Sequence, residues 1–368
     1  MSETNKKQLI IVLAHHLNLG PLLIPYYAKR ISEEVVQVEE QAGVSSRAVS
    51  LLTEAEQKVV IIAESYSDKN LMLAYSKEKS VTDFMRKLSE ATLKETIRPF
   101  IEKKLLEMIQ LIHAHGLPIY EKDPGKKLLY DHSRYNIPAE YTEPDFLFEV
   151  TDEYFRYSVE CSRAGELVPL MNKKPVVVLT ARPANIFVAR DLLMFEHINS
   201  ARLLPFMTKR FVTVDSANTQ KYMEKVVLPT VQSYPAKAVG FDMDEIEETC
   251  HAELSIESPY SAQLRFRYGE HTFSAGQPAA LKYPHLEKTK EGKYLVRYFT
   301  RQTASEQQCV NLLEKAGLER TSGDQFVFAD GKTKYSQADW EELWKLPETN
   351  SALQLFIQKA TAKKRQTQ

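Results

Sequence analysis

Residues 90–115, EATLKETIRPFIEKKLLEMIQLIHAH, carry the clearest periodic pattern in the chain. Apolar side chains recur there at spacings of three and four, which places them on one face of a helix: Leu93, Ile97, Phe100, Ile101, Leu105, Met108 and Ile112. Gly116 and Pro118 follow, and both residue types are typical of a helix end. Residues from about 46 to 115 share this character, so the pattern predicts a mainly helical N-terminal part.

One apolar run, LIIVLA at residues 9–14, precedes the helical region and predicts a buried strand. Gly20, Pro21 and Pro25 then interrupt the pattern, which predicts a loop and a short helix. The run is far shorter than the roughly 18 residues that span a bilayer, so we expect no membrane segment.

From about residue 117 the apolar period shifts toward two, which is typical of strands. The candidate strands are PIYEK, DFLFEV, YFRYSVEC, PVVVLTA, AVGF, HAELSIE, AQLRFRYGEHTFSA, KYLVRYFT and QFVFA. Helices are predicted near 217–233, in ASEQQCVNLLEKAGL and from SQADWEELWKL onward. The predicted fold class is therefore α+β: a helical N-terminal part with one buried strand, followed by a mainly antiparallel β-rich part with flanking helices.

The length of 368 residues predicts two or three domains. Residues 123–144 hold three prolines and several turn formers, so they are predicted to be a boundary. The predicted divisions are a mainly helical domain at 1–122, a boundary loop at 123–144, a β-rich middle domain at 145–240 and an α+β accessory domain at 241–368.

Composition excludes several classes of protein. A net charge of −1 argues against a globally basic DNA-coating protein, and only 12 glycines disfavour a nucleotide fold built on glycine loops. Three cysteines, Cys161, Cys250 and Cys309, lie far apart and suggest neither a disulfide framework nor a metal site. A reducing, cytoplasmic location is therefore expected.

Catalytic motifs are incomplete in this chain. Gly331-Lys332-Thr333 resembles the end of a phosphate-binding loop, but Phe326 stands where the first glycine is needed, so a turn is predicted. Asp242 and Asp244 follow an apolar strand like a phosphotransfer nucleophile and its acid partner, without the later acidic pair that such enzymes need. The sequence predicts no catalytic residue, cofactor, metal or small-molecule substrate, and a phosphotransfer or hydrolytic enzyme at these aspartates is the weakest alternative.

Basic residues near aromatic ones are the remaining functional signal. Arg265 and Arg267 alternate with Leu264, Phe266 and Tyr268, which predicts a basic and an apolar face on one strand. Such residues suit contact with a nucleic-acid backbone, with aromatic rings available for stacking. The candidate DNA contacts are Lys77, Lys79, Arg86, Lys87, Lys103, Lys104, Lys126, Lys127, Arg265, Arg267, Arg297 and Arg301. The competing interpretation is a set of ordinary charged faces on a near-neutral protein.

Several of these stretches resemble one protein family. The segments IIVLAHHLNLGPLLIPYYAKR, VVIIAESYSDKNLMLAYSKEKSVTDFMRKL and ETIRPFIEKKL resemble the region ahead of the motor in bacterial SNF2-family helicases. The later segments PVVVLTARPANIFV, AELSIES, AQLRFRYGEHTFSA, RQTASEQQCVNLLEKAGLE and DQFVFADGKTKYSQADWEELWKL are similar to the accessory domain that precedes the ATPase in those proteins. The family's ATPase motifs are absent from these residues, so no catalytic role is carried over.

The resemblance implies either an N-terminal part of a longer helicase or a free-standing homologue of that region; whether Gln368 is the natural terminus stays open. We expect a non-enzymatic accessory or regulatory region of an ATP-dependent DNA translocase, with the motor domain in cis and DNA as partners. The alternative is a stand-alone protein-interaction scaffold without nucleic-acid binding, in which apolar surface docks a partner.

Overall fold

A computed structural model describes residues 7–171, 176–258, 261–277 and 282–328. The chain forms two compact units, one of residues 1–145 with 157–212 and the other of residues 146–156 with 213–368. The predicted boundary loop at 123–144 lies within the first unit. The division of the chain into independently folding domains stays a prediction. The predicted SQADWEELWKL helix and the turn at Gly331 lie outside the described residues.

The first unit begins with strands and then turns helical. Its elements up to residue 130 are β1 (Lys7–His16), β2 (Gly20–Arg30), β3 (Val35–Gln41), α1 (Glu54–Ser65), α2 (Asp68–Tyr75), α3 (Val81–Lys87), α4 (Glu90–Thr92), α5 (Arg98–His115), β4 (Ile119–Glu121) and β5 (Leu128–Tyr130). The next elements are β6 (Glu143–Val150), β7 (Tyr154–Arg163), β8 (Glu166–Val168), β9 (Val176–Thr180), β10 (Asn185–Val188), β11 (Asp191–Met194), α6 (Ser200–Leu203) and β12 (Val212–Asp215).

The remaining elements belong to the second unit, which also contains residues 146–156, shared between β6 and β7, and residues 213–215 of β12. They are α7 (Thr219–Tyr222), α8 (Leu228–Val231), β13 (Ala236–Val239), β14 (Asp242–Glu245), β15 (Cys250–Ser258), β16 (Ser261–Tyr268), β17 (His271–Ser274), β18 (Tyr283–Lys288), β19 (Tyr294–Phe299), α9 (Thr303–Lys315), β20 (Leu318–Ser322) and β21 (Gln325–Phe328).

The predicted fold class is wrong, because the N-terminal part is not a helical region with one strand. Strands begin at residue 7, and β1, β2 and β3 form a five-stranded sheet with β4 and β5 in the order β4-β1-β2-β3-β5. The prolines of β2 misled the prediction. Pro21 is the second residue of the strand. The carbonyl of Pro25 accepts a hydrogen bond from the Ala42 N–H, just beyond the end of β3. Pro25 therefore lacks its N–H at the end of the β2–β3 hydrogen-bond ladder, where little pairing is lost.

The helical pattern at residues 90–115 is confirmed. Ile97, Ile101, Leu105, Met108 and Ile112 are all buried, in one cluster that joins the helices to β1 and β2. A wider turn at Leu93–Ile97 precedes α5, with Pro99 in the first turn of that helix. Gly116 ends α5 in the left-handed conformation, at φ 62°.

The second unit packs α9 against a sheet. In that sheet β15, β16, β21 and β20 lie in this order, and β17 also pairs with β16. Leu264, Phe266 and Tyr268 of β16 are buried, together with Val310 and Leu313 of α9. The alternating residues of β16 therefore face away from this core, as the period of two predicts.

No helix among the described residues is long and apolar enough to cross a membrane.

Candidate nucleic-acid interface

The outer face of β16 carries the two arginines that the sequence singles out. Opposite them on β15, His251 pairs with Arg267, and Glu253 pairs with Arg265 in the antiparallel register. Directly opposed side chains lie close enough to interact. The Arg267 Nε donates to Glu253 Oε1 across the diagonal at 2.6 Å.

Arg265 is exposed and forms no ion pair within the part of the chain that the structure describes. Its neighbour Arg267 is 40% exposed but already has a carboxylate partner, Glu253. Glu253 is thus the one carboxylate that faces these two arginines across β15 and β16, and among the described residues Arg265 forms no ion pair with it. A phosphate could approach this arginine without displacing a carboxylate.

The two arginines predicted near β19 occupy different environments. Arg297 is 42% exposed and lies 3.2 Å from a carboxylate oxygen of Glu287. The Arg301 side chain is only 2% exposed, and its Nε and Nη2 donate to Glu306 at 2.8 and 2.5 Å. That hydrogen bonding to Glu306 raises the pKa of the Arg301 guanidinium. Arg301 is thus held inside the second unit, where a nucleic acid does not reach it.

Tyr268 completes this buried group. Its hydroxyl donates to Glu306 Oε1 at 2.6 Å and accepts from the Gln302 N–H at 2.9 Å. Burial raises the pKa of Tyr268, since the phenolate would lose its hydration. Glu306 lies in the first turns of α9, so the group fixes the start of that helix on β16.

In the first unit, four predicted contacts gather around α3. The Lys87 Nζ lies 2.9 Å from Glu78 Oε1, which brings the helix end to the segment that carries Lys77 and Lys79. This hydrogen bond to Glu78 raises the pKa of the Lys87 ammonium group. Arg86 pairs with Asp83 of its own helix at 2.6 Å.

Lys77 and Lys79 are exposed and have no carboxylate partner among the described residues. We call Lys77, Lys79, Arg86 and Lys87 the α3 cluster. Its four cations face the two carboxylates of Glu78 and Asp83, which leaves an excess of positive charge. Local excess positive charge is what a phosphate backbone requires.

The other predicted lysines are more dispersed. Lys103 is exposed on α5, whereas Lys104 pairs with Glu107 at 2.7 Å. Lys126 pairs with Asp123 at 2.6 Å, and that hydrogen bond raises the pKa of Lys126. Lys127 is exposed, and its carbonyl accepts from the Val38 N–H at 2.7 Å.

The sequence interpretation missed the acidic partners of these cations. Three pairs lie within one helix or loop and were readable from their spacing of three residues, namely Asp83 with Arg86, Lys104 with Glu107, and Asp123 with Lys126. The pairs formed by Lys87, Arg267 and Arg297 join separate segments of the chain, so no local sequence pattern predicts them.

A cavity of about 680 Å³ in the first unit lies next to the loop of Lys126. Its charged lining consists of His15, Glu121, Lys122, Asp123 and Arg190. The Arg190 Nη2 lies 2.6 Å from Glu121. Besides His15, this lining holds two cations and two carboxylates, so its charge does not favour one class of charged cofactor over the other.

Within the described ranges, no group of three or more His, Cys, Asp or Glu side chains is arranged to hold a metal ion. Asp242 and Asp244 both lie exposed on β14, which runs parallel to β19.

No family model, curated protein or solved structure matches this chain.

Proposed function

We propose that this chain is a non-catalytic accessory region of an ATP-dependent DNA translocase of the SNF2 type. In this proposal it helps a motor domain in cis to engage DNA, or controls that motor. The sequence resemblance motivates the choice of partner. The observation that carries DNA contact is the α3 cluster, because Lys77 and Lys79 are exposed there beside Lys87 and have no carboxylate partner in the part of the chain that the structure describes.

Binding of this kind depends on counterion release and not on base sequence. We therefore expect the whole chain to bind labelled duplex DNA with an affinity that falls steeply between about 50 and 200 mM salt. Fluorescence anisotropy with two unrelated DNA sequences measures both properties. Equal affinity for the two sequences is the expected result.

Charge reversal tests the two surfaces separately. Lys79→Glu in the α3 cluster and Arg265→Glu on β16 should each weaken binding and lower the salt slope by about 1, the value for one phosphate contact. Lys69→Glu in the first unit and Lys290→Glu in the second are matched controls at exposed positions. A chain that binds no DNA at low salt contradicts the proposal, as does binding that neither Lys79→Glu nor Arg265→Glu weakens.

The second candidate is a protein-interaction scaffold without nucleic-acid binding. It is favoured by large apolar side chains that remain exposed in the first unit: Leu17 (98%), Leu51 (80%), Leu73 (66%) and Ile61 (55%). Exposed apolar surface is typical of docking sites. Absence of DNA binding at low salt, together with concentration-dependent self-association that Leu17→Ser reduces, would select this candidate.

A further inference from the structure

A groove of about 480 Å³ in the first unit is lined by β7, β8 and the segment after α6. Its floor is apolar and buried, and consists of Val159, Cys161, Leu170 and Phe206. The Phe206 ring is held by an edge contact with Tyr157, at 5.6 Å between centroids. The floor is therefore formed by packed, buried apolar side chains.

Two side chains of the groove wall are exposed although they are apolar. Leu167 on β8 is 74% exposed, and Met171 is 59% exposed. An unbranched methionine adapts to different partner shapes, and exposed apolar surface with a polar rim marks interaction sites. Covering these two side chains would remove apolar area from water, which favours association.

Lys209 and Arg210 line the same groove, and both are exposed. Neither has a carboxylate partner among the described residues. The carboxylate of Glu160 also lines the groove, so the lining keeps one net positive charge. An occupant with carboxylates near the two cations would complement this charge.

β8 offers backbone groups beside the groove. It pairs with β7 alone of the described strands. The loop between them is Ala164-Gly165, with φ of 50° and 81°, the conformation of a type I′ hairpin turn. In such a hairpin Arg163 and Glu166 exchange the closing hydrogen bonds, so the N–H and C=O of Leu167 point away from β7. An extended peptide can pair with such an edge.

We propose that this groove binds an extended peptide segment of a partner protein that alternates apolar and acidic residues. The apolar side chains of that segment cover Leu167, Met171 and Phe206. Its carboxylates meet Lys209 and Arg210, and its backbone pairs with Leu167. A fatty acid fits the apolar floor less well, because the open wall would leave one side of the acyl chain in water.

The test is selection of random eight-residue peptides displayed against the whole chain. The expected enriched sequences alternate apolar residues with Asp or Glu. Anisotropy of one enriched, labelled peptide then gives its affinity, and replacing its acidic residues by Lys should abolish binding. No enrichment, or enriched peptides without acidic residues, overturns the proposal.

Two variants locate the binding site. Leu167→Asp and Lys209→Glu should each weaken the enriched peptide by about tenfold or more, as expected for central interface positions. Leu17→Asp and Lys69→Glu make the same changes at exposed positions elsewhere in the first unit and should leave binding unchanged. Peptide binding that Leu167→Asp leaves intact overturns the proposal.

Two other occupants have distinct outcomes. Displacement of the peptide by micromolar lauric acid would assign the groove to fatty acids. Self-association of the chain that Leu167→Asp abolishes would assign it to a second copy. Either result overturns the proposal, whereas the DNA experiments above are unaffected by it.

Discussion

At the residue scale, the environment of a charged side chain decides what it can do. Arg265 and Arg301 look alike in the sequence, since both lie near aromatic residues of predicted strands. Arg265 is exposed and has no carboxylate partner within the described ranges, whereas the Arg301 side chain is 2% exposed and bound to Glu306. Nothing local distinguishes them, because the burial of Arg301 depends on how α9 packs on β16.

Glu306→Gln should destabilise the second unit strongly. It leaves the buried Arg301 guanidinium without its counter-charge, and breaking a buried pair costs about 3–5 kcal/mol of unfolding free energy. Urea unfolding of the whole chain, followed by circular dichroism, measures the change. The double variant Arg301→Met, Glu306→Leu should recover much of the loss, because it removes both charges.

The exposed pair on β16 supplies the control. Glu253→Gln disrupts a pair whose arginine is 40% exposed, so we expect a loss of about 0–1 kcal/mol. Equal losses for Glu253→Gln and Glu306→Gln would show that burial does not decide the contribution of these pairs.

At the element scale, local signals predicted α5 well and β2 poorly. The apolar period of α5 and the following Gly116 specify a helix and its end without help from the rest of the chain. β2, in contrast, depends on its pairing with β1 and β3. Its prolines argue against a central strand. In the observed register, however, they lie where β2 loses no backbone hydrogen bond inside the sheet. β3 alternates buried Val36 and Val38 with less buried residues, but this alternation is short and is followed by three exposed polar residues.

Gly116→Ala should cost about 1 kcal/mol of unfolding free energy, because an L-residue at φ 62° is strained. A Cβ at this position meets no atom within 4 Å, so no steric clash adds to this backbone strain. Gly240→Ala should cost more, since its Cβ would overlap the carbonyl oxygen of Val150. Urea denaturation compares both variants with Gly43→Ala, where φ is not in the left-handed region.

A Gly116→Ala chain as stable as the unmodified protein would contradict the left-handed helix end. A cost at Gly43→Ala equal to that at Gly240→Ala would contradict the close approach to Val150.

At the scale of the whole molecule, both units bury groups that lose a proton only at high pH. Burial raises the pKa of the Cys161 thiol to about 12, that of Cys309 to about 11 and that of Tyr135 to about 12. Each group in the unfolded chain loses its proton earlier, near its ordinary pKa of 9.0 or 10.0. Between the ordinary pKa of each group and its raised pKa in the folded protein, the unfolded chain therefore binds fewer protons than the folded chain.

These three groups should leave the unfolding free energy unchanged from neutral pH to about pH 8, and should lower it as the pH rises toward 11 and 12, by roughly 1.4 kcal/mol per pH unit for each fully titrating group. Urea unfolding at a series of pH values measures this slope. Cys161→Ala should make the slope shallower, while Cys250, which is only partly buried, should contribute less. Unfolding free energy that stays constant from pH 8 to pH 11 would contradict the burial of these groups.

The candidate site was likewise predicted where it depends on neighbouring residues, and missed where it depends on residues far apart in the chain. The sequence predicted which residues of β16 face outward, because a strand alternates by two, and the structure confirms it. It did not reveal the groove of Leu167, Met171, Lys209 and Arg210. Its two walls are about forty residues apart in the chain, and only the folded unit brings them together.

The interleaving of the two units has a consequence for synthesis. A ribosome releases the chain in order, yet residues 146–156 belong to the second unit and the first unit resumes with residues 157–212. Residue 212 must leave the exit tunnel before the first unit has all of its segments. Residues 146–156 can pack into the second unit only later, because the other residues of that unit, 213–368, have not yet been translated. A nascent chain that stops between residues 146 and 211 therefore contains the complete sequence of neither unit.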